Sequence, residues 1–133
     1  MFAGQVIKVK TVVPGYCRGE PVLLNRHISF FGEVSPETGC LVGENNVCLP
    51  GKVLVFKGTR GSTVGPYIIY ALKKNSRGPV CMIVEDLEPM LVAGCVLADI
   101  PLYSTESIEA LTNLSPHNCI EVKGVELRAC EHQ

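Results

Sequence analysis

Lys52-Val-Leu-Val-Phe-Lys-Gly-Thr-Arg-Gly-Ser-Thr-Val-Gly-Pro-Tyr-Ile-Ile-Tyr-Ala-Leu-Lys-Lys74 joins three patterns in one run. Residues 52–56 are a short continuous apolar stretch, which suits a central strand covered on both faces. Gly58, Gly61 and Gly65 then punctuate a loop. After it, Val64, Tyr67, Ile68, Ala71 and Leu72 recur at the spacing of an amphipathic helix. Ser62 or Thr63 is a natural N-cap, Pro66 suits the first turn, and Lys73 and Lys74 complement the dipole at the far end. A strand, a glycine loop and a helix in this order are the kernel of an α/β layer.

On the N-terminal side, Ile7, Val9, Thr11 and Val13 alternate with Lys8, Lys10 and Val12, the pattern of an edge-like strand ending at Pro14-Gly15. Val22 to Val34 is β-rich, Pro36-Glu-Thr-Gly39 is a turn, and residues 40–49 read as an irregular connection with weak strand character and an Asn45-Asn46 turn. On the C-terminal side, Pro79 to Val84 predicts a buried strand and Glu88 to Ala93 a short helix. Val96 to Tyr103 is a further apolar piece. Ser104 to Leu114 predicts a second amphipathic helix with Ile108 and Leu111 inward, and Ile120 to Ala129 strands on either side of Gly124. The expectation is an α/β (mixed β/α) chain forming a single domain over residues 1–133, with a β-rich core and a few flanking helices.

Bulk properties narrow the function. At 47% hydrophobic and 19% charged residues the chain can bury a core. A mean hydropathy of +0.26 is high, so some apolar surface is either core or covered by a partner. The net charge of −1 comes from scattered residues without a basic block, which argues against nucleic acid or an anionic membrane surface. The start lacks the apolar centre of a signal peptide, and Met90 to Ala98 is too short to span a bilayer; a cytoplasmic protein is expected. Seven cysteines are present without a Cys-x-x-Cys pair, so free buried thiols are expected rather than metal ligands. In a cytosolic protein disulfides are expected only from a hyperthermophile.

The loop after the 52–56 strand is the one local feature with a clear chemical use. A helix N-terminus offers unpaired N–H groups and a partial positive charge, and glycines let an anion approach the backbone. A serine there has its oxygen in a field favouring negative charge, with Arg60 two residues away. Such a loop can bind a carboxylate or phosphate, or favour Ser62 as an alkoxide base. The Walker pattern is excluded because Gly61 stands where it needs Lys, and the Rossmann glycine spacing also fails. On spacing alone, an ordinary glycine-rich turn with a capping Ser or Thr is the stronger reading. His27, His117 and His132 show no metal-ligand spacing, and Glu85-Asp86-Leu-Glu88 reads as a solvated turn.

Gly58-Thr-Arg-Gly-Ser-Thr-Val-Gly65, followed by Tyr-Ile-Ile-Tyr-Ala-Leu72, resembles the signature of the small subunits of the aconitase X group. Ile28-Ser-Phe-Phe-Gly-Glu-Val34 with Pro36-Glu-Thr-Gly39, Gly51-Lys-Val-Leu-Val55, and Gly94-Cys-Val-Leu-Ala-Asp-Ile-Pro101 resemble its flanking segments. Phe31 departs from it, since Trp is frequent there. The resemblance implies a swivelling β/β/α domain of the aconitase superfamily. It implies a heterodimer in which the larger partner carries an iron–sulfur cluster of the 4Fe–4S type, and this chain binds no cofactor. Ser62 matches the family's proton acceptor, and Arg60, Gly61 and Thr63 are implied to orient a small anionic substrate. The implied reaction is dehydration of (R)-5-phosphomevalonate to trans-anhydromevalonate 5-phosphate, on a modified mevalonate route to isoprenoids. Within the group the alternative is dehydration of a hydroxyproline, and outside it a non-catalytic assembly or regulatory domain.

Overall fold

The computed structural model describes residues 6–61, 65–112 and 119–130. The chain runs β1 (Val6–Lys8), β2 (Lys10–Val13), β3 (Cys17–Ile28), a four-residue helical turn α1 (Phe30–Glu33), β4 (Cys40–Leu41), β5 (Glu44–Cys48) and β6 (Lys52–Thr59). It continues with α2 (Gly65–Lys74), β7 (Cys81–Val84), α3 (Pro89–Ala98), β8 (Leu102–Ser104), a 3-10 turn (Glu109–Leu111), β9 (Ile120–Lys123) and β10 (Glu126–Ala129). One sheet has the order β1-β10-β9-β3-β6-β7-β8-β2, and β4 with β5 forms a separate hairpin. The four middle strands β3, β6, β7 and β8 are parallel, and the flanking pairs are antiparallel. The first two strands are consecutive in the chain yet occupy opposite ends of this order. The sheet therefore curls until its ends meet at Val9, whose N–H donates to the Val125 carbonyl at 2.9 Å.

Closure divides the core in two. One layer lies between sheet and helices and holds Leu54, Phe56, Met82 and Val84 against Ile69, Leu72, Leu91 and Cys95. The other fills the inside of the curl with Val9, Val53, Val55, Ile83, Tyr103 and Leu127. β6 feeds both by strict alternation, so Val53, Leu54, Val55 and Phe56 are all 0% exposed. That is why this segment is an unbroken apolar run.

Helices α2 and α3 cross the same face of the sheet, and Gly94 is their point of closest approach. A Cβ there would stand 2.7 Å from Ile69 Cδ1 and 3.1 Å from Pro66 Cα. Gly94→Ala is expected to wedge the helices apart and to cost about 1–3 kcal/mol, read as a lowered denaturation midpoint with unchanged slope.

Four expectations are corrected. The described part of 104–114, residues 104–112, does not form an amphipathic helix: Ser104 ends β8, and residues 109–111 make a 3-10 turn. Ile108 and Leu111 are inward all the same, at 1% and 0% exposure, because they plug the curled sheet. The weak strand character of residues 40–49 is a defined hairpin whose strand β5 runs through Asn45-Asn46 instead of turning there, and α3 runs to Ala98 rather than Ala93. The cysteines are not free thiols: Cys17–Cys81, Cys40–Cys48 and Cys119–Cys130 are disulfides, and Cys95 alone remains a thiol. Burial pushes the Cys95 thiol up to about 12, so it is an inert core residue. Strand pairing explains the bonds. Cys40 and Cys48 are partners across one hairpin, Cys119 and Cys130 flank another, and Cys17 and Cys81 meet beside the start of β6.

Candidate active site

In a parallel sheet, ligands bind outside the C-terminal ends of the strands. Here that edge carries the ends of β3 at Ile28, β6 at Thr59 and β7 at Val84. The loop that leaves β6 stays on the ladder for one residue more, because Arg60 N–H donates to the Ile28 carbonyl at 2.9 Å. Gly61 follows with φ +92°, a left-handed conformation that favours glycine, and a Cβ there would press on Ser29 Oγ at 3.3 Å. Residue 65 then opens α2, with Pro66 in its first turn. Ser62 and Thr63, expected as base and as substrate ligand, lie outside the described residues, as does His117.

The charge at this edge is organised by Glu33, which sequence reading did not single out. Its carboxylate accepts from Ser29 N–H at 2.6 Å, Arg26 Nη1 at 2.7 Å and Arg60 Nη2 at 2.8 Å. Burial works against that charge, but the Ser29 and Arg26 hydrogen bonds and the Arg60 and Arg26 guanidinium charges outweigh it. They hold the carboxyl below its usual range. Arg60 is therefore a guanidinium fixed in direction by a carboxylate. Two cations on one anion leave the cluster with a net positive charge.

Because the folded pKa is lowered, the clamp contributes full stability above the ordinary carboxylate range and loses it as pH falls through the lowered value. Glu33→Gln is expected to lower stability near neutral pH and to flatten its acid dependence, read as denaturation midpoints across an acid pH series.

Opposite Arg60, Glu88 binds three donors. It accepts from Thr59 Oγ1 at 2.6 Å and caps α3 through Leu91 N–H at 3.1 Å and Met90 N–H at 3.3 Å. A cavity of about 120 Å³ lies between these groups, lined by Phe30, Thr59, Arg60, Gly61, Gly65 and Glu88 among others. A larger groove of about 750 Å³ opens on the other side of residues 85–88, beside Lys8, Lys10 and Thr105. The smaller cavity is the one that meets the glycine loop and the start of α2.

The acidic stretch 85–88 is exposed at Asp86 and Leu87, as expected of a turn, but its carboxylates are engaged. Glu85 accepts from Ile108 N–H at 2.9 Å, Asp86 binds His27 at 2.7 Å, and Glu88 caps a helix. Glu88 did leave a signal, a carboxylate just before Pro89 and an apolar run. His27 and Asp86 left none, being 59 residues apart.

The family model for the aconitase X swivel domain matches residues 6–128. The phosphomevalonate dehydratase small subunit of Aeropyrum pernix is 47% identical over 94 residues, which are 71% of this chain and 69% of that one. The protein of the same name from Pyrococcus horikoshii is 40% identical over 109 residues, covering 79% and 81%. That from Methanosarcina acetivorans is 36% identical over 124 residues, covering 90% and 86%. The crystal structure of Thermococcus kodakaraensis aconitase X in its holo form superposes with a TM-score of 0.84 at 33% identity, covering 96% of this chain and all of that one. A glycine loop at the C-terminal edge of a curled parallel sheet, and these relatives over nearly its whole length, leave one assignment: the chain belongs to the aconitase X swivel domain family.

Proposed function

We propose that this chain is the small subunit of a phosphomevalonate dehydratase, a hydro-lyase that removes water from (R)-5-phosphomevalonate to give trans-anhydromevalonate 5-phosphate. The observation that carries the reading is the 36–47% identity to small subunits of that name. It is joined by the Arg60–Gly61 loop at the sheet edge where ligands bind.

Dehydration needs a base for a C–H proton and a Lewis acid for the departing hydroxyl. Ser62, two residues after Arg60 in the sequence, is the base. Arg60, Gly61 and Thr63 orient the anionic substrate, and Glu33 aims Arg60. The cysteines of this chain do not suit a cluster: six are paired with one another and Cys95 is buried in the core. Among the described residues no group of three or more His, Cys, Asp or Glu side chains is placed to hold a metal. The iron–sulfur cluster, which would supply the Lewis acid, is assigned to a large partner subunit. This chain, one swivelling domain over residues 1–133, closes on that partner and excludes water. No described helix is long and apolar enough to cross a membrane, and a cytoplasmic enzyme is the reading adopted.

Anaerobic capture of this chain from its native lysate tests the arrangement. The expected result is a larger chain in equal amount with stoichiometric iron on that chain. Capture of no partner, or of a partner without iron, would remove the Lewis acid and with it this reading.

A further inference from the structure

Among the described residues, the charged groups that line the small cavity at the sheet edge are Arg60 and Glu88. The rest of the lining includes the buried apolar side chains Phe30, Ile69 and Leu91. Neither charge is free to turn away. Arg60 Nη2 is held on Glu33 at 2.8 Å. Glu88 is held by Thr59 Oγ1 at 2.6 Å and by the Leu91 and Met90 N–H groups at 3.1 and 3.3 Å. A ligand entering here therefore meets a fixed cation and a fixed carboxylate, in surroundings whose apolar side chains weaken the screening of both.

Capping α3 does not by itself call for glutamate, since Ser, Thr, Asp and Asn are the preferred caps. The longer side chain does something that those would not. It carries the same carboxylate from the start of α3 to Thr59, the last residue of β6, 29 positions earlier, and so into the cavity lining. Three donors fill three of a carboxylate's about four acceptor sites. What is left can accept from a hydroxyl and repels an anion.

At about 120 Å³ the cavity is smaller than the roughly 300 Å³ or more of a site that takes a whole small molecule. A six-carbon phosphate ester can put only one end into it. The two ends of phosphomevalonate differ in charge. The phosphate carries about −1.5 to −2 near neutral pH, whereas the carboxylate carries a single charge and has a hydroxyl two carbons away. Arg60 attracts either end. Glu88 pushes back on the second charge of the phosphate and accepts from the hydroxyl of the other end. We infer that Glu88 is a specificity-determining residue: it makes this cavity take the hydroxy-carboxylate end of the substrate and refuse the phosphate. The inference rests on the proposed function, which supplies a substrate with these two ends. Built-in repulsion is a common source of such discrimination. The hydroxyl that is lost lies nearer the carboxylate than the phosphate, so this orientation brings the reacting carbons to the glycine loop.

The test follows the Gly61 backbone amide of the full chain by nuclear magnetic resonance, at about pH 8 where phosphate is mainly a dianion. The probes are inorganic phosphate and 3-hydroxy-3-methylbutanoate, each added alone. For the wild-type chain, the hydroxy acid is expected to bind at least about tenfold more tightly than phosphate. Glu88→Gln keeps an oxygen for the cap and removes the charge. It is expected to tighten phosphate about tenfold and to change the hydroxy acid by no more than about threefold. Glu88→Asp keeps the charge and is expected to keep the wild-type order, which a purely structural role of Glu88 would not separate from Glu88→Gln. Phosphate binding the wild-type chain as tightly as the hydroxy acid, no tightening of phosphate in Glu88→Gln, or no response of the Gly61 amide to either probe overturns the inference. These titrations need no turnover. An assembled enzyme that dehydrates phosphomevalonate while phosphate is preferred at Gly61 sinks this inference alone, whereas an assembled enzyme that dehydrates nothing sinks the proposed function.

Discussion

Ser62→Ala in the assembled enzyme is expected to lower kcat by about 10²–10⁴-fold, the range for loss of an essential general base. The substitution removes one oxygen and leaves Gly61, Gly65 and the start of α2 as they are. Glu33 still holds Arg60, so substrate binding is expected to change little and the loss to fall on kcat rather than KM. Steady-state kinetics, with co-elution of the two subunits as the control for assembly, reads this directly. Near-normal turnover would return the loop to an anion-binding or purely structural role.

Replacing Cys17 and Cys81 together by Ala is expected to cost about 4 kcal/mol of stability. The bond joins residues 64 apart in sequence, and cross-linking so long a loop removes much of the freedom of the unfolded chain. It also ties β3 to β7 on either side of β6, where both cysteines are buried at 1% and 0% exposure. The Cys40–Cys48 bond spans only 8 residues and is expected to matter less. Denaturant midpoints of the two double variants, measured without reductant, give the order. A change under about 1 kcal/mol for Cys17 and Cys81 would mean that the bond does not form in solution.

Local patterns were legible in the sequence; long-range pairing was not. The apolar run 53–56 and α2 fall where their patterns put them, although β6 runs on through Gly58 to Thr59 and Gly65 already belongs to α2. The mixed β/α class follows from that kernel, and the resemblance named the family that the comparisons show. The curl of the sheet was hidden because it depends on one strand breaking at Val9 and pairing with two distant ones. Ile108 and Leu111 carry helical spacing, yet a carboxylate from residue 85 and the interior of the curl hold them in a short 3-10 turn. Cysteine spacings of 64, 8 and 11 look like noise until strand register brings the partners together. At the site, Arg60 and Gly61 were found from the loop itself. Glu33 was missed because its role is to collect Arg26 from β3 and Arg60 from the loop after β6. His27 and Asp86 were missed because parallel pairing, not sequence proximity, joins them.

The most direct measurement of the central claim is an anaerobic dehydration assay with (R)-5-phosphomevalonate, followed by mass spectrometry. It uses this chain, its large subunit, and the two together. Formation of trans-anhydromevalonate 5-phosphate only when both are present is the predicted result. Product formed at the same rate by the large subunit alone, or no loss of water in a folded, iron-loaded complex, would contradict the account.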